Sequence, residues 1–211
     1  MMRLAHLMSL ADSRLPTGGH VHSGGIEEAV AGGVVRDVAT TEAFLRRRIR
    51  TAGLVGGSVT AAVCAGGLTA ERADAEMDAR TPSPAARSSS RAQGRGLLRL
   101  ARTTWPGHDW SPLGPRPHLP VVSGVVGAVT GVGPREAALV FVYTTMTGSA
   151  TAAQRLLALD PAQVAACTFA LADLCDDIAD RCVTGLASVS DPFLDVVAER
   201  HVLRDRPLFV S

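Results

Sequence analysis

The strongest constraint on this chain is a stripe. Leu139, Val142, Tyr143, Met146, Ala150, Ala153 and Leu157 follow one another at steps of three and four, the spacing that lines side chains along one face of an α-helix. Pro134 stands just before it, where a first-turn proline gives up no hydrogen bond. Val164, Cys167, Leu171, Leu174, Ile178 and Cys182 form a second stripe, introduced by Asp160-Pro161, a cap residue followed by a first-turn proline. Asp191-Pro192 repeats that start ahead of Phe193, Leu194 and Val197. Apolar stripes of this length must be buried against other helices, so the fold class is all-α.

The first half is less regular. Leu4, Leu7, Met8 and Ala11 predict a short helix that stops near Arg14, because Pro16 and Gly18-Gly19 follow. A second short helix is expected over 25–31, ended by Gly32-Gly33. Asp37 or Thr40 caps the next, which carries Phe44, Leu45 and Ile49 on one side. It reaches Cys64 only if it tolerates Gly56-Gly57. A charged helix over 69–80 and one from Pro84 to about Thr104 complete this half. Residues 105–120 are dense in Pro and Gly and form the longest expected loop. Residues 121–130 read as an apolar helix, with a strand as the alternative because of their valines. Residues 204–211 read as an extended tail. The sum is a single-domain, bundle-like fold over 1–211, of roughly eight to ten helices.

Aromatic residues make up only 4% of the chain and hydrophobic residues 46%, so the core is built from Ala, Val and Leu. A net charge of +1 supplies no long-range field for nucleic acid or an anionic membrane. All 21 basic residues are Arg. Without lysine there is no phosphate-loop lysine, no Schiff base and no lysine general base. The chain also lacks G-x-S-x-G, H-E-x-x-H and a dinucleotide-type G-x-G-x-x-G, so an enzyme is not expected. Cys64, Cys167, Cys175 and Cys182 form no C-x-x-C pair, and the last three lie near one helical face, where core packing is expected. The N-terminal stretch has no long apolar signal core, and 119–132 is too short to span a bilayer, so the expected location is the cytoplasm.

Three features point to function. Gly18, Gly19, His20, Val21, His22, Ser23, Gly24 and Gly25 place an H-x-H pair among glycines, with Glu27 and Glu28 behind. His20 and His22 are candidates for a transient metal contact, too few for a closed tetrahedral site. The same loop reads equally as a tight surface turn or as a docking loop. Arg87, Arg91, Arg95 and Arg99 recur every four residues, with Arg102 behind. They form either a solvated face or a surface for an acidic or phosphate-bearing partner. The tail carries Arg206, Leu208, Phe209, Val210 and Ser211, which either fray or dock.

Four segments resemble the UreF family of urease accessory proteins. The first runs from Met8-Ser9-Leu10 through Leu15-Pro16-Thr17-Gly18-Gly19 to Gly25-Ile26-Glu27. The second is Asp78-Ala79-Arg80 with Ala86-Arg87, Ser90 and Gln93-Gly94. The third joins 118–124 to Thr147-Gly148-Ser149 and Gln154-Arg155, and the fourth is the ending 206–211. Where that family has Gly-Gly-Phe-x-Tyr-Ser this chain has His22 in place of the second aromatic, and Val210 stands where Arg is common. The resemblance implies an all-helical homodimer. It implies a non-catalytic scaffold that joins UreD (also called UreH) and the GTPase UreG, docks on apo-urease and supports GTP-dependent nickel insertion. It also raises modulation of the partner GTPase. The partner-binding candidates are Gly18, Gly19, His22, Ser23, Glu27, Arg87, Arg95, Arg206, Leu208, Phe209 and Ser211. No cofactor of its own is expected, since nickel and GTP belong to the partner complex. The alternative is a metallochaperone that binds nickel through His20 and His22.

Overall fold

A computed structural model describes residues 4–17, 19–205 and 207–210. Its regular elements are helices, in the order α1 (Leu4–Ala11), α2 (Ile26–Ala31), α3 (Val38–Arg48), α4 (Leu54–Cys64), α5 (Ala70–Arg80), α6 (Pro84–Thr104), α7 (Leu119–Thr130), α8 (Pro134–Leu157), α9 (Pro161–Ala170), α10 (Ala172–Cys182) and α11 (Pro192–Val202). The helix starts follow the predicted chemistry. Asp37 and Thr40 form a reciprocal capping box, and Thr69, Ser83, Asp160 and Asp191 each accept a backbone N–H of the first turn. Each such cap contributes about 1 kcal/mol.

α3 and α4 are one rod. A π turn at Ile49–Gly53 joins them, and Arg48, Ile49, Gly53 and Leu54 all keep right-handed helical dihedrals. With the rod counted once, the described residues hold ten α-helices. The rod runs through Gly56-Gly57 because those glycines face other helices. A Cβ on Gly56 would strike the Phe141 ring of α8, and one on Gly57 would lie 2.6 Å from the Cys182 sulfur of α10. The helix propensity lost, about 1 kcal/mol per glycine, is offset by the close approach of three helices. From Leu54 to Ala61 every residue of α4 is buried.

α8 is the other central element. Its Ala138, Val142, Met146 and Ala150 pack with Leu45, Ile49 and Leu54 of the rod and with Cys175, Ile178 and Cys182 of α10. The predicted single stripe over 164–182 is two helices, because the chain breaks at Leu171 (φ −96°, ψ −2°), whose side chain is wholly buried in the same cluster. The three cysteines are core residues. Burial pushes Cys175 up to about 11 and Cys182 up to about 12, so both stay thiols.

A second cluster joins Val59 and Val63 to Leu97, Leu98, Val121, Val122 and Val126. The valine-rich 121–130 stretch is therefore a helix and not a strand, begun at Leu119 with proline in its first turn and stopped by Gly131 in the left-handed region (φ 68°). Within the expected loop, Ser111–Leu113 is a short 3-10 turn and Trp110 is buried, its Nε1–H donating to the Trp105 carbonyl at 3.1 Å. No helix among the described residues is long and apolar enough to cross a membrane.

Candidate functional site: a tail clamped on a glycine-rich loop

The loop and the tail, separated by most of the chain, meet in one corner. α2 is only six residues long, and its first turn carries Glu27 and Glu28, the charge sign that suits a helix N-terminus. Glu27 is 4% exposed. Its two carboxylate oxygens accept the backbone N–H groups of Leu208 (2.7 Å) and Phe209 (3.0 Å). Beside them, the imidazole of His201 lies 3.7 Å from Glu27 and its Nε2 is 3.2 Å from the Phe209 carbonyl. Arg204 pairs with Glu28 at 2.9 Å and flanks Glu27 at 3.9 Å. The Val210 N–H donates to the Val21 carbonyl at 2.7 Å. The last stretch of chain is thus held by its backbone along the loop and α2.

One side chain of the tail turns inward. Phe209 is 4% exposed and packs with Ile26, Ala29, Phe44, Ala152 and Ala153, with the Arg155 guanidinium 5.2 Å above its ring. Leu208 and Val210 turn outward and are exposed, as are Val202 and Leu203 at the end of α11. The corner is an ordered seat carrying exposed aliphatic side chains on its rim. Ser23 ties the loop to α8: its carbonyl accepts the Ser149 hydroxyl at 3.1 Å, and its own hydroxyl accepts the Glu27 N–H.

The sequence model of the UreF family matches residues 35–172 of the chain. Proteins named urease accessory protein UreF align over the whole of this chain and the whole of their own. The one from Mycobacterium sp. (strain JLS) is 65% identical. Those from Mycobacterium tuberculosis (strain ATCC 25177 / H37Ra) and Mycolicibacterium vanbaalenii are each 63% identical. The chain belongs to the UreF family. UreF proteins are accessory proteins and not enzymes, in keeping with a chain that has no lysine and no nucleotide or hydrolase motif.

For this UreF chain the corner brings together Ser23, Glu27, Leu208 and Phe209, four of the residues singled out from sequence. Gly19 begins a 3-10 turn, Gly19–Val21, at the same place. His22 is half-buried, with Nδ1 3.2 Å from the Ser89 hydroxyl of α6, so a polar contact occupies the aromatic position noted above. Gly18, Arg206, Ser211 and the side chain of His20 lie outside the described residues. The tail is not loose in this structure; its aromatic residue is seated on its own chain.

The arginine series divides. Arg87 donates to the carbonyls of Thr81 and Pro82, and Arg91 pairs with Asp74 and Asp78 at 2.8 Å each. Those two fasten α6 to α5. Arg95, Arg99 and Arg102 are exposed and form no ion pair among the described residues. Behind Arg91 lies wholly buried His118, whose Nε2 is 3.0 Å from Asp78 and whose Nδ1 is 3.0 Å from the Ser90 hydroxyl. Asp74, Asp78 and His118 present three potential metal ligands close together. Each already has a hydrogen-bond or ion-pair partner, and Arg91 supplies the positive charge, so the cluster is a satisfied polar network.

Sequence reasoning passed over His201 and Arg204, which complete the corner. A visible signal was their position in and just after the last turn of α11, seven and four residues before Leu208, the tail's first aliphatic residue.

Proposed function

We propose that this protein is a non-catalytic scaffold in a complex with UreD and the GTPase UreG, supporting GTP-dependent nickel insertion into apo-urease. The observation that carries this reading is the clamped corner: Glu27 fixes the tail backbone while Leu203, Leu208 and Val210 remain exposed beside it. A preordered backbone with outward aliphatic side chains costs little conformational entropy on docking, which suits a surface that holds another protein. UreD is the partner assigned to it. Exposed Arg95, Arg99 and Arg102 offer a separate face for an acidic surface.

On this reading the protein works in the cytoplasm as a homodimer, and exposed Tyr143 on α8 and Phe169 on α9 provide apolar area for pairing. It carries no cofactor; nickel and GTP are handled by the partner complex. Co-expression with UreD and UreG followed by affinity co-purification tests the scaffold reading. Recovery of a ternary complex is expected, and failure of every pairwise and ternary association would refute it.

A further inference from the structure

Arg48 closes α3, one residue before the π turn. Its guanidinium fills the space that a side chain at position 24 would need: a Cβ on Gly24, which sits in the left-handed region at φ +67°, would lie 2.6 Å from the Arg48 Cζ. Nη1 donates to the Gly24 carbonyl. Nε is enclosed without an acceptor, and Nη2 donates to no acceptor among the described residues. Its neighbours have partners. Arg46 holds Glu42 and Arg47 holds Asp191, but no carboxylate among the described residues pairs with Arg48.

Burial pulls the Arg48 guanidinium down to about 10, which still leaves it a cation at neutral pH. A half-buried cation with an enclosed, unpaired Nε and no counter-charge gives up hydration without compensation. Arg48 also lines a cavity of about 560 Å³, together with Gly24, Gly25, Thr51, Thr145 and Ser149. The carboxylates that share this cavity are committed elsewhere, Asp12 to Arg14, Asp191 to Arg47 and Asp195 to the Ser83 backbone.

The free edge of the guanidinium is the Nε–H and Nη2–H pair, two parallel donors whose spacing matches the two oxygens of a carboxylate. We propose that Arg48 anchors a carboxylate-binding site, in which an anion entering the cavity is held first by Nη2–H and, after a small rotation of the Arg48 side chain, by the now enclosed Nε–H as well, in bidentate fashion. Phe209 and Val210 of the clamped tail line the same cavity, but the carboxylate site does not depend on the scaffold reading. Its ligand is either a free small carboxylate or an Asp or Glu side chain presented by a bound protein.

The test is a nitrogen-15 NMR titration of the arginine Nε–H resonances of the full chain. Acetate and a blocked aspartate (N-acetyl-aspartate N-methylamide) are added in turn, with chloride at equal ionic strength as the control. The expected result is a saturable shift of the Arg48 resonance with acetate. In Arg48→Lys, which keeps the charge and loses the paired edge, the acetate-dependent rise in melting temperature seen in the parent is lost, with affinity at least roughly tenfold weaker. A matching response to the blocked aspartate assigns the site to a protein side chain, and a response to acetate alone assigns it to free anions. If acetate moves the Arg48 resonance no more than chloride does, the proposal is wrong. That arm needs only the parent protein, so it stands even if the variant fails to fold.

Discussion

Glu27 and Phe209, 182 residues apart in sequence, are joined by a 3.0 Å hydrogen bond from the Phe209 backbone N–H to the buried Glu27 carboxylate. The second Glu27 oxygen takes the neighbouring Leu208 N–H. Both acceptors of one side chain are therefore spent on the end of the chain.

Glu27→Gln keeps the shape and removes one acceptor. A buried N–H left without a partner costs about 1–3 kcal/mol. Amide hydrogen exchange at 208 and 209 should accelerate while the α4–α8 core keeps its protection. Unchanged exchange at both amides would show that Glu27 does not hold the tail.

Removing residues 208–211 takes away Phe209 and the exposed Leu208 and Val210 together. The truncated protein should fold, keep the parent's oligomeric state by light scattering and fail to co-purify with UreD. Phe209→Ala alone should lower stability by about 3 kcal/mol, the scale for emptying a buried aromatic site. Retained UreD binding by the truncated chain would rule out the tail as the docking element.

Gly56→Val tests the close approach of α4 to α8. The added side chain meets the Phe141 ring and Pro120. Overpacking of this kind costs about 2 kcal/mol, and in a chain of this length the melting temperature should drop by roughly 4–8 °C. A melting temperature within a degree of the parent would mean that α8 moves aside freely.

His118 gives the fold a pH dependence of known sign. Burial lowers its pKa from 6.5, opposed by the Asp78 hydrogen bond and reinforced by Arg91. Between the lowered folded value and 6.5 the unfolded chain binds more protons than the folded one. Stability is therefore full above pH 6.5 and is lost as the pH falls through that window. Burial pushes Asp78 up, but His118 and Arg91 outweigh it and leave the carboxyl low, so its contribution is lost in the same direction at more acid pH. Thermal melts of the parent from pH 7.5 to 5.5 should show falling midpoints, and His118→Asn should start lower and flatten the profile. An equal slope in both proteins would assign the dependence to another group.

The helices were legible where local chemistry decides them. Caps at Asp37, Thr69, Ser83, Asp160 and Asp191, and prolines at 84, 134, 161 and 192, mark starts that do not depend on distant contacts. Sequence was ambiguous where tertiary contacts decide. Gly56-Gly57 looks like a weak point until α8 and α10 are placed against it, and the 164–182 stripe hides the break at Leu171, since both halves face the same core. The loop and the tail each stood out, as a run of glycines and as a scarce aromatic, but their meeting did not. Nothing local relates Glu27 to residues 201–209. Arg48 was invisible for a related reason: among Arg46, Arg47 and Arg50, it is set apart only by an enclosed Nε without an acceptor.

The clasp at Glu27 grips the tail by its spine. Both bonds come from main-chain N–H groups, so the grip is indifferent to which side chains the tail carries at 208 and 210, and only proline would defeat it there. Position and identity are thereby uncoupled. One buried carboxylate and one buried ring decide where the tail lies, and the two outward side chains are left to vary with whatever surface they must fit.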